Sequence, residues 1–242
     1  MAPASSDSKN SRKKGCCLLK KILLIALVTG LFMGSSIMTA DAYNQDHLKQ
    51  IAKGQRKCSG FDLYGANMAG ASLAGIDLSR ANLTGTNFSE ANLNHANLSD
   101  TDLSVSNLNN ADLSHANLTN VNLYGKKLTG TNLANANLTN VNLKNADMNG
   151  ANLRGVTLSN NNLQGFSWAG FDLTKAKISK TNLTGAVLSG AILTGATIEN
   201  SNLSKADLTN ANLQGAILKS VDLTGAQGIT LDILQKYKVK ID

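Results

Sequence analysis

From Leu63 to Leu223 every fifth residue is large and apolar, without one slip of register. These 33 positions, here called the centres, hold Leu at 27 of them. The other six are Met68, Phe88, Met148, Trp168, Ile178 and Ile198. In an α-helix five residues advance about 500°, so the centres would form no stripe. In a straight strand, residues five apart face opposite sides. The chain therefore has to bend once in every unit.

The residues around each centre indicate how it bends. Two residues before the centre, 17 of the 33 units have Ala, and one residue before it 24 have Asn or Asp. The centre and the residue two before it share one side of a short extended segment. Gly, Asn, Asp and Ser, which are frequent between these segments, tolerate turn conformations. A single unit cannot bury its own apolar face, so the units are expected to stack into a solenoid.

Units such as Ala91-Asn92-Leu93 and Ala206-Asp207-Leu208 resemble the tandem motif of the pentapeptide-repeat proteins, and the resemblance covers residues 61 to 225. It implies an all-β fold, a right-handed, four-sided parallel β-helix with four units in each coil. Thirty-three units then make about eight coils, or a rod of about 40 Å at the spacing of neighbouring strands.

The amino-terminal residues have the pattern of an export signal. A basic stretch at 12–21 precedes an apolar run at 22–38, and a small-x-small pattern ends at Ala42. This order predicts a signal peptide over residues 1–42, cleaved before Tyr43, and a periplasmic or secreted bacterial protein. The apolar run is also at the short limit for a membrane-spanning helix. An uncleaved anchor is the alternative, with membrane contact through this segment alone.

The ends of a solenoid need caps, because each leaves an open core and an unpaired strand edge. The expected organisation is an N-terminal cap at 43–58, the β-helix at 59–228 and a C-terminal capping helix at 229–242. Thr230 can begin that helix. Its apolar face would hold Leu231, Leu234 and Tyr237. Cys58 is in phase with the centres and is expected to be a buried small hydrophobe.

Residues 20 apart should stack in columns. One column, directly before its centres, contains only Asp and Asn: Asp62, Asn82, Asp102, Asn122, Asn142, Asn162, Asn182, Asn202 and Asp222. It predicts an unbroken ladder of side-chain hydrogen bonds, with a ligand-binding stripe as the alternative.

A second column holds four of the six unusual centres. Phe166 and Phe171 flank its Trp168 at positions where small residues belong, above Ala146 and Ala151. We expect core packing there, with a locally bulged coil. An exposed aromatic surface is the alternative.

Several cationic residues are candidate surface sites. Lys126 occupies a small-residue position and Lys127 replaces Asn or Asp beside it, so a bulge or an outward-reaching Lys126 side chain is expected. His95 and His115 occupy equivalent positions in adjacent coils, so their backbones should lie about 4.8 Å apart and their imidazoles should stack. Two imidazoles fall short of the three protein ligands typical of zinc, so no metal and no other cofactor is predicted.

Charge is uneven along the repeats. Residues 59–120 carry a net charge of −5 and residues 121–228 a net charge of +4. A basic patch could include Arg154, Lys175, Lys177, Lys180 and Lys205. It lacks interleaved exposed aromatic residues, so nucleic-acid binding is not expected. The charge asymmetry equally fits end-to-end association of rods.

These features favour a non-catalytic exported scaffold, or protein-binding module, that presents the flat faces of a rigid rod. The sequence has no phosphate-binding Gly loop, no convincing Ser–His–Asp order and no metal-spaced Cys/His cluster. The protein partner is not identified, and a homodimer through an end cap is possible. The alternative, implied by one branch of the family, is a mimic of duplex DNA that protects DNA gyrase. The near-neutral coils and the export signal disfavour it.

Overall fold

The computed structural model describes residues 43–236 and 240–241, which form a parallel β-helix with a helix at each end. The signal peptide and the apolar run at 22–38 lie outside the described residues. Parallel bridges join residues 20 apart, from Lys57–Asp77 to Asp207–Gln227. Four units therefore make one coil, and the predicted fold is confirmed. No helix in the described part of the chain is long and apolar enough to span a membrane.

The regular elements are short. They are α1 (Gln45–Ala52), β1 (Thr157–Ser159), β2 (Lys177–Ser179), β3 (Thr197–Glu199), β4 (Ile217–Lys219), α2 (Leu231–Lys236) and β5 (Lys240–Ile241). Strands β1 to β5 stack in sequence order into one parallel sheet. Strand β5 pairs with β4 and adds a strand beyond the last repeat, a pairing that the sequence did not predict.

The core is the column of centres. Every centre from Leu63 to Leu218 is buried. Polar residues two before a centre are also buried, and most donate a hydrogen bond to a carbonyl of the preceding coil. Thr86 Oγ1 donates to Leu63 O at 2.8 Å and Ser106 Oγ to Leu83 O at 2.7 Å. These hydroxyls are tolerated inside because each has a partner.

The bend is made two residues after each centre. From Gly65 to Gly225 this residue has a positive φ in every unit except the one that contains Val105. A β-branched residue is strongly disfavoured in the left-handed region. The turn at Val105 therefore differs, its side chain is 60% exposed, and Gly85 N forms no hydrogen bond to Ser104 O.

The predicted Asp/Asn ladder forms in segments. An Asn side chain before a centre can both accept from the turn and donate to the preceding coil, whereas an Asp side chain only accepts. Asn82 Oδ1 accepts from Thr84 N at 3.3 Å, and Asn82 Nδ2 donates to Asp62 Oδ1 at 2.9 Å. Between Asn82 and Asp102, and between Asn142 and Asn162, both the backbone bridge and the side-chain bond are missing. Between Asn182 and Asn202, and between Asn202 and Asp222, the backbone bridge is kept but the side-chain bond is missing. The expectation of an unbroken ladder was therefore wrong at four of its eight steps.

The N-terminal cap covers the first coil. Leu48 and Ile51 of α1 are buried, and the His47 ring stacks on Phe61 with 4.1 Å between centroids. His47 Nδ1 accepts from Asp62 N at 3.0 Å, so a histidine that sequence reasoning passed over satisfies an edge amide. Cys58 is buried as expected, and burial raises the pKa of its thiol against the opposing effect of Arg56.

The C-terminal helix begins as predicted, since Thr230 Oγ1 accepts from Ile233 N at 3.3 Å. Leu234 is buried, but Leu231 is 75% exposed. The expectation that Leu231 faces inward was wrong, because a helix of six residues brings one apolar side chain onto the last coil. Tyr237 lies outside the described residues.

We expect Leu133→Ala to lower the free energy of unfolding by about 2–5 kcal/mol, because Leu133 is fully buried and adjacent coils cannot collapse onto the void. Urea unfolding followed by circular dichroism measures it. Leu133→Met is the control and should cost less than about 1.5 kcal/mol. Equal losses in both variants would show that volume at the centres is not what holds the rod together.

Candidate functional site

A cleft interrupts the stack between residues 142–153, here the lower lip, and residues 162–172 of the next coil, the upper lip. The regular pattern would have lower-lip amides donate to upper-lip carbonyls, and upper-lip amides donate back. Among the described residues, none of these bonds forms. The missing lower-lip donors are the amides of Leu143, Asn145, Met148, Gly150 and Leu153, and the missing upper-lip donors are those of Asn162, Ser167 and Asp172.

The cleft is confined to one interval of the stack. The lower lip is fully bonded to the preceding coil, for example through Leu128 N to Asp147 O at 2.7 Å. The upper lip is likewise bonded to the following coil, with Trp168 N to Val187 O at 2.7 Å. The opening has a volume of about 1080 Å³. It is therefore a local separation of two well-formed coils and not a frayed region.

Oversized side chains explain the separation. Trp168 is fully buried and meets Phe166 edge-on at 5.3 Å between centroids. Phe166 and Phe171 occupy positions that hold Ala in the neighbouring coils. Three aromatic rings exceed the height of one coil, so the stack opens on the side of the lower lip. Core packing of Trp168 is as predicted, but the expected bulge is instead a cleft.

Solvent reaches the inner positions of this cleft. Residues two before a centre are buried throughout the described β-helix except near its ends and at Ala146, Ala151, Phe166 and Phe171. The apolar floor also includes Met148, while Asn145, Asn149 and Gln164 lie on the polar rim. The arrangement combines an apolar floor, amide side chains and free backbone groups, which is typical of a binding site.

Two contacts mark the ends of the cleft. At one end Asn161 Nδ2 donates to Leu138 O at 2.7 Å and Asn161 Oδ1 accepts from Val141 N at 2.7 Å. The Asn161 side chain thus replaces the direct hydrogen bond from Val141 N to Leu138 O that would close this turn. At the other end Arg154, the residue that follows the lower lip, has Nη1 2.8 Å from Oδ2 of Asp172 in the upper lip.

The Asp172 carboxylate at this end stays ionised. Burial raises the pKa of Asp172, but hydrogen bonds from Thr174 and the charge and hydrogen bond of Arg154 outweigh burial and hold it below its ordinary value. The Arg154–Asp172 pair is thus present at neutral pH. Arg154, predicted as part of a basic patch, instead closes one end of the cleft.

Lys126 produces the second irregularity. Its backbone keeps the regular turn, with Lys126 N donating to Leu123 O at 3.1 Å, and the residue is only 8% exposed. The expected bulge or outward-reaching side chain was therefore wrong. Lys126 Nζ donates to Ser106 O, the carbonyl that Lys127 N would use in a regular coil, and the bridge between Asn107 and Lys127 is missing.

The charge on Lys126 is only partly compensated. Burial lowers the pKa of the Lys126 ammonium, and the negative charge of Asp102 offsets part of this effect. Burial raises the pKa of the Asp102 carboxyl. Hydrogen bonds from Ser104 and Asn122, together with the positive charge of Lys126, outweigh burial and keep this pKa below its usual value. The sequence missed Asp102 as the counter-charge because it lies on a neighbouring column.

We expect Lys126→Met to raise the free energy of unfolding at pH 7 by about 1–2 kcal/mol, since it removes a desolvated charge. The folded pKa of Lys126 is below the unfolded one, so the unfolded state binds more protons just below the ordinary lysine pKa. The free energy of unfolding of the wild type should therefore rise as the pH approaches the ordinary lysine pKa, and the difference between the variant and the wild type should become smaller. Urea unfolding between pH 7 and pH 10 checks this. The matched control is Lys127→Met, at the exposed neighbouring residue. If the difference in free energy of unfolding from the wild type stayed constant with pH for both variants, the prediction would be contradicted.

The other predicted surface residues do not converge. His95 and His115 stack with 4.6 Å between ring centroids, and Asn135 Nδ2 lies 3.5 Å from His115 Nε2. Both histidines are exposed turn residues with positive φ. No group of three or more potential metal-ligating side chains occurs within the residues that the structure describes.

The remaining lysines likewise follow the repeat. Lys175 and Lys180 are turn residues with positive φ, and Lys127 and Lys177 are exposed residues directly before a centre. Five-residue periodicity distributes these cations around separate edges of the rod. The site that the structure does assemble is the cleft, and its only signal in the sequence is the pair of Phe residues flanking Trp168.

The family model for pentapeptide repeats matches in eight copies that together span residues 62–226. This chain belongs to the pentapeptide-repeat family. A solved relative is HetL, a pentapeptide-repeat protein involved in heterocyst differentiation regulation in the cyanobacterium Nostoc sp. strain PCC 7120. It is 31% identical over 77% of this chain and 92% of that chain, with a TM-score of 0.35.

Two further solved pentapeptide-repeat structures are more distant. QnrB1, a plasmid-mediated fluoroquinolone resistance protein, is 22% identical over 73% of this chain and 77% of that chain, with a TM-score of 0.25. A protein from the thylakoid lumen of Arabidopsis thaliana is 25% identical over 53% and 77% of the two chains, with a TM-score of 0.20. No curated protein sequence matches the chain.

Proposed function

We propose that this pentapeptide-repeat protein is an exported, non-catalytic scaffold that binds another protein. The observation that carries the proposal is the cleft between residues 142–153 and 162–172. Elsewhere the rod presents mostly paired backbone and turn side chains, which offer few groups to a partner. The cleft offers free backbone groups beside half-exposed Ala and Phe side chains. Such a combination of apolar surface and unsatisfied hydrogen-bonding groups favours association.

A role as a DNA mimic for gyrase is less well supported. Residues 59–228 carry a net charge of −1, which does not reproduce the charge of duplex DNA. The most acidic portion, residues 59–120, is followed by a basic portion. Export would also separate the protein from a cytosolic enzyme.

Export is testable by the mass of the mature chain. We expect the full-length gene, expressed in a bacterial host, to yield an envelope species whose intact mass begins at Tyr43. Cleavage follows from the basic, apolar and small-residue order of the first 42 residues. An envelope species of full-length mass would indicate a retained anchor. A full-length cytosolic species would contradict export, and a gyrase-protection assay would then be the next measurement.

Partner binding is testable with a photo-crosslinking amino acid at Gln164, on the rim of the cleft. The expected result is a discrete protein adduct in the envelope fraction after irradiation. A matched control places the same amino acid at Gln214, which lies outside the cleft and is also exposed. Equal adducts from both positions, or none from either, would contradict a binding role for the cleft.

A further inference from the structure

The two lips of the cleft are strand edges whose facing backbone groups lack partners. Lower-lip amides such as Met148 N lack the upper-lip acceptors that the regular coil would supply. The amides of Asn162, Ser167 and Asp172 likewise lack acceptors across the opening. Free donors and acceptors therefore recur at five-residue intervals on both lips. This spacing is that of the ladder in every intact coil interval.

Only a polypeptide backbone reproduces that pattern. A segment that follows the lips, with short extended pieces joined by turns like those of a coil, carries N–H and C=O groups on both of its edges, and can therefore bond to both lips at once. A carbohydrate could contact the amide side chains of the rim and the Phe faces. It could not supply alternating donors and acceptors at strand spacing along both lips.

The floor and the rim indicate the side chains of such a segment. Inward-facing residues would meet Ala146, Met148, Phe166 and Phe171, an apolar surface with no charge. The charged lining residues are one cation and one anion, Lys144 and Asp147. A strongly charged peptide would leave charges unpaired at the apolar floor, so the complementary segment is uncharged, with small or aliphatic side chains on its inner face.

We propose that the cleft binds an uncharged segment of a partner protein, inserted between the two lips as short strands joined by turns like those of a coil. This inference rests on the proposed protein-binding function and specifies its site and its ligand chemistry. The bound segment would complete the hydrogen bonding of both coils. The volume of about 1080 Å³ lies at the upper end of ligand-binding pockets, which is sufficient for a short strand.

The test uses a synthetic peptide that copies residues 183–192, capped at both ends. This segment is uncharged, and in the structure it bonds the upper lip from the opposite side, for example through Val187 N to Phe166 O at 2.9 Å. The control peptide has the same sequence with alternate backbone nitrogens methylated, which removes donors without changing the side chains. Amide hydrogen exchange, resolved by NMR on the mature protein, reports on both lips.

We expect the Met148, Leu153 and Ser167 amides to exchange fast in the free protein, because they have no partner there. The copied peptide should slow their exchange by about tenfold or more at a concentration of about 1 mM, and the methylated peptide should not. Slow exchange of these amides in the free protein, or no protection by the copied peptide, would overturn the proposal. Protection by chitotriose with none by the peptide would also overturn it, in favour of a carbohydrate.

A variant that closes the cleft provides the second arm. This triple variant combines Phe166→Ala, Trp168→Leu and Phe171→Ala and restores the common composition of the repeat. In it the lip amides should be protected from exchange without peptide, and peptide binding should be abolished. Phe88→Leu is the matched control, because Phe88 is a buried aromatic centre in the same column that keeps its own bond to the next coil, Phe88 N to Asn107 O at 2.7 Å. Peptide binding that persists in the closed variant would place the peptide elsewhere and overturn the proposal.

The two proposals fail separately. A crosslinked adduct at Gln164 without protection by the peptide would leave the protein-binding function standing and remove strand insertion as its mode. Protection by the peptide with no adduct in the envelope fraction would support the strand site, and would contradict the proposed partner in that compartment.

Discussion

The inter-coil hydrogen-bond ladder imposes one height on every coil. In most units the residue before a centre bridges to the residue 20 positions away, so a coil can be no thicker there than the spacing of neighbouring strands. Leu at the centres and Ala two residues before them fit that height. The positive φ two residues after each centre returns the chain to the same direction for the next unit. Side-chain volume, turn geometry and backbone pairing are thus consequences of the same spacing.

Departures from the repeat show two ways in which the ladder is disrupted: side chains are too large for the spacing between coils, or another donor occupies a carbonyl of the ladder. The aromatic cluster around Trp168 is too tall for one coil, and the ladder opens along 142–153. Lys126 is accommodated differently, because its ammonium group takes a carbonyl that belongs to the ladder. One irregularity separates two coils by volume and the other removes a single bridge by competition. The first creates an opening of about 1080 Å³.

The sequence was sufficient for the fold because its information is periodic. Register, coil length through the family resemblance and the buried centres all follow from residue types that recur, and the cap at Thr230 follows from a local N-cap preference. The local outcomes were not predictable because they depend on three-dimensional competition. Phe166 and Phe171 indicated excess volume, but whether the coil would bulge or separate depends on the bonding of both neighbouring coils. Asp102 was missed as the counter-charge of Lys126 because it lies on another column, and His47 because its role depends on how α1 meets the first coil.

The cleft also has a mechanical meaning. Under tension along its axis, a solenoid bears load through the bonds between successive coils, and the interval with the fewest bonds extends first. Between residues 142–153 and 162–172 the load falls chiefly on Asn161, the Arg154–Asp172 pair and the intact pairing of β1 with β2. The rod is therefore two stiff segments joined at a compliant point, and stretching or bending would widen that point while the flanking coils keep their shape.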